Sequence, residues 1–246
     1  MKKISLIGSY ILSSLFYLFF GLFLLLFDGI QRICYYLFGY KAHKVSVDLF
    51  NGATVFIMRI LGTRFGITNN CQLPKDAPVL IVSNHQSIWD IPPIVWYLKR
   101  FHPKFISKKE LGKGVPTISF NLKKGGSALI DRNDKKQSHE ALVRFAEYLN
   151  KTKRSGVIFP EGSRSRTGEL KAFKIGGLKI MLEHLKDAYI VPISISNSWK
   201  LQRKGSFPIP LNVHFKMTIH PAVKVGLQPV DELVHSIESI IRKGIV

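Results

Sequence analysis

Asn84-His85-Gln86-Ser87-Ile88-Trp89-Asp90 follows directly on the apolar run Pro78-Val79-Leu80-Ile81-Val82-Ser83, and the junction between them decides the fold. A short run rich in Val and Ile, bounded by Pro and polar residues, reads as a buried strand. His85 then emerges at a strand's carboxyl end, where open α/β sheets hold their chemistry. Asp90 stands five residues on, and continuous helix would rotate it about 140° away from His85. The two meet only if the chain turns between them. Pro92 and Pro93 suit the first turn of a helix, so the spacing puts Asp90 at or just before a helix start running to Leu98. A carboxylate there holds one imidazole nitrogen and leaves the other free to take a proton. Alone the pair says little: a chain with eight His offers such spacings by chance, and a His and an Asp capping a helix look the same.

Outward from this junction, short apolar runs alternate with polar helices from about Asn69, the pattern of an α/β domain. Strands are expected over 79–83, 104–107, 127–131, 156–159, 189–196 and 211–220, and helices over 89–98, 138–152, 174–184 and 229–242. The fold class is α/β, a mixed central sheet flanked by helices. In the second helix Ala141, Leu142, Phe145, Ala146 and Leu149 make a core-facing stripe. The stretch 112–126 reads as a connection with one helical turn near 118–122.

A second polar group leaves the strand over 156–159: Phe159-Pro160-Glu161-Gly162-Ser163-Arg164-Ser165-Arg166-Thr167-Gly168-Glu169-Leu170. Arg164 and Arg166, with the Ser163 and Ser165 hydroxyls, form a donor cluster of the kind that takes phosphate. Gly162 permits close backbone approach, and Glu161 offers an acceptor for a substrate hydroxyl. A solvated charged turn is the bland alternative, and the position at a strand's end argues against it. Lys108 and Arg132 end the strands over 104–107 and 127–131, so both are candidates for the same edge.

The chain of 246 residues carries 36 Lys and Arg against 16 Asp and Glu, a formal charge of +20. Such a balance asks for a polyanionic partner: nucleic acid, an acidic membrane surface or an anionic substrate. The amino-terminal segment chooses among them. Residues 4–27 hold no charged side chain and are long enough to cross a hydrocarbon core of about 30 Å. Nucleic-acid binding needs no such segment, whereas a lipid surface does. Basic residues flank it on both sides, and aromatics mix with Arg32 just beyond. Two arrangements fit: one spanning helix, or a helical pair entering and leaving through the same leaflet, the second being favoured by the basic flanks. Residues 1–65 are thus assigned to a membrane anchor and 66–246 to a catalytic domain. Cys34 and Cys71 provide neither a disulfide framework nor metal-ligand spacing.

The stretches 85–90, 126–132, 159–170 and 190–195 resemble, in order and spacing, the four sequence blocks of the glycerophospholipid acyltransferase family, specifically the bacterial 1-acylglycerol-3-phosphate acyltransferases. The resemblance covers roughly Pro74 to Asn197. Ser163 stands where Thr is commoner, and the second block lacks the aromatic often found before Asp131-Arg132. The resemblance implies an O-acyltransferase of phospholipid biosynthesis, with His85 as general base and Asp90 orienting it. It further implies that Arg132 and Arg164 bind the phosphate of lysophosphatidate, with Lys108 a further candidate near phosphate or oxyanion. Glu161 would hold the glycerol backbone, with help from Gly162 and Ser163. The acyl donor would be a thioester of acyl carrier protein or coenzyme A, with no metal or other cofactor. The expected setting is the inner membrane, with the catalytic domain facing the cytoplasm and no nucleic-acid partner. Glycerol 3-phosphate or another lysolipid is the alternative acceptor, and a non-catalytic binder of acidic lipids or nucleic acid the alternative from another class.

Overall fold

The computed structural model describes residues 2–72, 77–185 and 187–246. Met1 and Pro74, outer limits of two sequence-based assignments, lie outside them. The sheet is built from β1 (Arg64–Asn69), β2 (Val79–Ser83), β3 (Pro103–Lys108), β4 (Ala128–Ile130), β5 (Ser155–Ile158), β6 (Tyr189–Ser196), β7 (His214–Ile219) and β8 (Val223–Lys224). The order is β1-β7-β6-β2-β5-β3-β4, with β8 on β6. Strands β2 to β6 run parallel to one another, β7 runs antiparallel to β6, and β1 follows β7. The carboxyl ends of β6, β2, β5, β3 and β4 therefore form one continuous edge.

The burial of β2 shows why it sits in the middle. Leu80 and Val82 enter one apolar layer, Val79 and Ile81 the other, so both faces are covered and every residue is apolar except the terminal Ser83. Against the first face pack α4 (Lys135–Thr152), α5 (Ile175–His184) and α6 (Val230–Lys243). The stripe expected on α4 is buried throughout. Against the second face packs α2 (Ile91–Tyr97), and α3 (Ile118–Lys124) connects β3 to β4.

The amino-terminal helix α1 (Lys2–Ile57) breaks once, at Gly39, whose φ of 77° is open to glycine without strain. Two limbs result, and they fold back on each other: Phe20 and Phe27 of the first meet Phe50 of the second, with ring centroids 6.3 and 5.6 Å apart. The second limb lies on α2, where Gly52 lets the backbone approach the Trp96 ring so closely that a Cβ would stand 2.6 Å from it. The first limb is held to the domain along its length. Ser9 and Tyr17 donate to the carbonyls of Ile209 (2.7 Å) and Ser206 (2.6 Å), and Asp28 accepts from the Thr117 N–H (2.7 Å). Phe16 and Phe20 pack edge-on against Trp89 at 5.1 and 5.3 Å. The segment is long and apolar enough to cross a membrane, with a mean hydropathy of 2.2 over an 18-residue stretch.

Two strands were missed in the sequence. β1, Arg64-Phe65-Gly66-Ile67-Thr68-Asn69, is a half-exposed edge strand whose Gly and Asn dilute the alternation. β8 has only two residues. The expected 89–98 helix is split into a 3₁₀ turn, Ile88–Asp90, and α2. The expected 211–220 strand begins later, at His214, after a loop that carries Asn212 at a φ of 57°.

Near the start of β3 the Lys104 side chain is 5% exposed with no ion-pair partner among the described residues. Burial, reinforced by Arg154 and Lys44 and opposed by Asp48, pushes its ammonium down to about 7. His43, His102 and Tyr40 also lie in this cluster. An unfolded lysine holds its proton up to about pH 10. Between those limits the unfolded chain binds more protons, so this residue's contribution to stability improves as pH rises. Lys104→Met is therefore expected to raise the thermal midpoint most below pH 7, with the gain shrinking towards pH 10. Unfolding in detergent at pH 6 and pH 9 checks the sign.

Candidate active site

The chain after β2 turns as the spacing requires. Ser87 caps the 3₁₀ turn, its hydroxyl accepting from the Trp89 N–H at 3.1 Å, and the turn brings Asp90 back onto His85. Asp90 Oδ2 lies 2.8 Å from His85 Nδ1 and also accepts the N–H groups of Gln86 (2.7 Å) and Ser87 (2.9 Å). Asp90 Oδ1 accepts from the Ser198 hydroxyl. The Asp90 side chain is fully buried, so four converging donors replace the water a carboxylate would lose. A carboxylate only accepts, hence Nδ1 carries the proton and Nε2 is left basic. Among the described residues Nε2 has no protein partner, and the imidazole is 18% exposed. The ring lies flat on Phe159, centroids 4.1 Å apart at 17°, which fixes its plane. Trp89, one residue before Asp90, is the side chain on which the first anchor limb rests.

Phe159 lies just past β5, the strand beside β2, and the polar loop follows it. Glu161 is 2% exposed, and each carboxylate oxygen is engaged: Oε1 accepts the His85 N–H at 2.6 Å, Oε2 the Lys171 N–H at 2.9 Å. Burial pushes this carboxyl upward while the two N–H donors pull the other way. Glu161, expected to meet a substrate hydroxyl, is engaged on both oxygens by backbone donors. It clamps the β5 loop to the backbone of the His85 turn, and the Ser165 N–H donating to the His85 carbonyl at 2.7 Å closes the same junction. Glu161→Ala leaves the His85 and Lys171 N–H groups without their acceptor, at about 1 kcal/mol each. A lowered unfolding midpoint, smaller for Glu161→Gln, is the expected readout.

Gly162 takes a φ of 68°, and a Cβ there would meet the Lys174 side chain at 3.1 Å. Ser163 and Arg164 are exposed. The Ser163 hydroxyl accepts from Lys171 Nζ at 3.1 Å, and Arg164 donates to Gln202 Oε1 at 3.1 Å. That same Gln202 oxygen accepts from the Ser87 hydroxyl (3.2 Å) and the Ile88 N–H (3.1 Å), so one amide joins the arginine loop to the His85 turn. Lys108 ends β3 and Arg132 lies two residues beyond β4; both are exposed on the same edge. They are two and three strands from β2, roughly 10 and 14 Å away at the usual strand spacing. The structure thus gathers His85, Asp90, Glu161, Gly162, Ser163 and Arg164 directly, with Lys108 and Arg132 further along the edge.

Ser198, Gln202 and Lys171 were not singled out in the sequence. Ser198 lies just past the carboxyl end of β6, so the reasoning applied to β2 and β5 would have found it. Gln202 comes from a 3₁₀ turn, Ser198–Gln202, with no sequence signal of its own. Asn84 serves the frame: its side chain pairs with both the N–H (2.7 Å) and the carbonyl (2.8 Å) of Ile195, tying the end of β2 to β6.

A family model described as Acyltransferase matches residues 64–196. The chain is 30% identical over 202 residues to a chloroplastic 1-acyl-sn-glycerol-3-phosphate acyltransferase of Arabidopsis thaliana, covering 82% of this chain and 52% of that one. It is 42% identical over 126 residues to the 1-acyl-sn-glycerol-3-phosphate acyltransferase of Helicobacter pylori, covering half of each. With that of Borreliella burgdorferi the figures are 26% over 204 residues, 82% of this chain and 78% of the other. These matches span about half the length of the first two relatives. Among solved structures, the 1-acyl-sn-glycerophosphate acyltransferase PlsC from Thermotoga maritima superposes with a TM-score of 0.77 at 22% identity, over 99% of this chain and 96% of that one. At that identity the likeness speaks for the fold.

Proposed function

Since the chain belongs to the acyltransferase family, we propose that it transfers a fatty acyl group from a thioester to the 2-hydroxyl of lysophosphatidate, giving phosphatidate. The observation that carries this reading is the unprotonated His85 Nε2, set by the buried Asp90 in a turn that Gln202 joins to Arg164 on the carboxyl edge. His85 Nε2 takes the hydroxyl proton as the oxygen attacks the thioester carbonyl, and Asp90 stabilises the imidazolium that forms. The tetrahedral intermediate collapses, the carbon–sulfur bond breaks, and the imidazolium proton passes to the departing thiolate. Ser87 and Ser198, the hydroxyls bonded into this turn, donate to Gln202 and Asp90. Neither is activated by His85, which favours direct transfer over an acyl-enzyme.

Arg164, with Lys171 and Ser163 beside it, takes the phosphate in this reading, and Lys108 and Arg132 extend the cationic edge towards it. The acyl carrier protein or coenzyme A thioester is a co-substrate, and no metal or other cofactor enters. The anchor lies in one leaflet of the inner membrane with the catalytic domain on the cytoplasmic side. Its first limb exposes Ile7, Ile11, Leu18, Leu22, Leu25 and Leu37 along one face while the opposite face is bonded to the domain. That apolar face runs about 45 Å, longer than the roughly 30 Å of hydrocarbon a perpendicular helix needs. A limb lying along the domain suits the boundary of head groups and chains.

The test is acyl transfer in detergent or liposomes from long-chain acyl-coenzyme A and acyl carrier protein, with lysophosphatidate and glycerol 3-phosphate offered separately. Phosphatidate formation from lysophosphatidate is the expected result. Transfer to glycerol 3-phosphate alone moves the acceptor assignment, and no transfer from either donor to any lysolipid overturns the enzymatic reading.

A further inference from the structure

At the sheet edge opposite His85, where α2 ends in the turn Lys99–Phe101, a hollow of about 420 Å³ opens between that turn and the second anchor limb. It is lined by Lys44, Asp48, Trp96, Lys99 and Arg100, with Val45 and Leu49 of the limb alongside. The charges are unbalanced. Asp48 is the one carboxylate in the lining and is already paired with Lys44, whose ammonium also donates to the Lys99 carbonyl at 3.0 Å. Lys99 Nζ sits 4.0 Å from the centre of the Trp96 ring and the Arg100 guanidinium 4.4 Å from that of Phe101; no acid pairs with either among the described residues. Behind them lies the buried Lys104, with no ion-pair partner among the described residues.

The apolar side of the hollow is equally distinctive. Val45 and Leu49 are 54% and 52% exposed, one helical turn apart on a limb of the membrane hairpin. Cations beside exposed aliphatics, on an element that meets lipid, match a molecule with an anionic head and an apolar chain. We propose that this hollow binds the headgroup of an acidic phospholipid, with the phosphate at Lys99 and Arg100 and a chain laid over Val45 and Leu49. The site goes beyond the acyl-transfer reading, since it lies on the opposite edge of the sheet from His85. It gives the protein a means of sensing the charge of the bilayer on which it works.

Trp96 is both wall and reporter. The full chain in neutral detergent micelles is titrated with short-chain phosphatidylglycerol while tryptophan emission is followed, with short-chain phosphatidylcholine and inorganic phosphate as separate arms. A saturable change with phosphatidylglycerol alone is expected. Lys99→Gln and Arg100→Gln should each weaken it by roughly fivefold, the effect of about 1 kcal/mol per cation. The exposed pair Lys135→Gln/Lys136→Gln on α4 should leave it unchanged, and the signal should vanish in Trp96→Phe. Equal curves for both lipids, an unaltered titration in the Lys99 and Arg100 variants, or a signal that survives Trp96→Phe would overturn the site. Saturation by inorganic phosphate over the same range would overturn its assignment to a lipid. Binding is read without turnover, so these outcomes are independent of whether acyl transfer is observed.

Discussion

His85→Ala lowers the rate of acyl transfer by about 10²- to 10⁴-fold, the usual worth of a positioned general base, and leaves the chain folded. The reason lies in what remains. Asp90 keeps three of its four donors, the N–H groups of Gln86 and Ser87 and the Ser198 hydroxyl, so the buried carboxylate stays compensated. The Glu161 clamp acts on the His85 backbone, which alanine preserves. What disappears is Nε2, which has no protein partner among the described residues. Initial rates at saturating donor and acceptor, set beside the thermal midpoint, separate lost chemistry from lost fold. A variant within tenfold of the unmodified rate would remove His85 from the proton-accepting role.

Asp90→Asn is the second large effect, and it differs in kind. With the amide oxygen in the place of Oδ2, the contacts to Gln86, Ser87 and His85 survive. The amide nitrogen then faces the Ser198 hydroxyl, which rotates to accept instead of donate. The turn and the Nδ1 tautomer are retained. The imidazolium, however, loses the negative charge beside it as the hydroxyl proton arrives, and kcat should fall by roughly two to four orders of magnitude with KM little changed. Asp90→Ala is a different experiment, since four buried donors lose their acceptor and the fold suffers with the rate. A fall in KM-controlled binding at unchanged kcat for Asp90→Asn would contradict the orienting role.

The sequence carried local patterns and left out long-range pairings. Val79–Ser83 was legible as a strand because both of its faces are buried, which makes it apolar throughout. Helix geometry alone showed that Asp90 meets His85 only if the chain turns between them. The clamp made by Glu161 was not legible because a carboxylate beside Gly162 and Arg164 looks the same whether its oxygens are free or occupied. The partners that occupy it are the N–H groups of His85 and Lys171, and backbone donors leave no trace in composition. Ser198 and Gln202 lie more than a hundred residues from the groups they touch in the His85 turn and come together only when β6 has docked beside β2. β1 escaped for a related reason. It is an edge strand shaped by β7, its parallel neighbour, more than by its own alternation.

The packing of Phe16 and Phe20 on Trp89 makes the hairpin more than a tether. Trp89 is 2% exposed, and those rings are part of the cluster that covers it; burial of each aromatic contributes about 1.5–3 kcal/mol. A chain shortened to begin near Arg64 would bare that indole one residue from Asp90 and strip the floor from the turn that holds His85. Solubility gained by truncation would therefore come at the expense of the geometry around His85, because the amino-terminal hairpin shares a core with the turn that carries it.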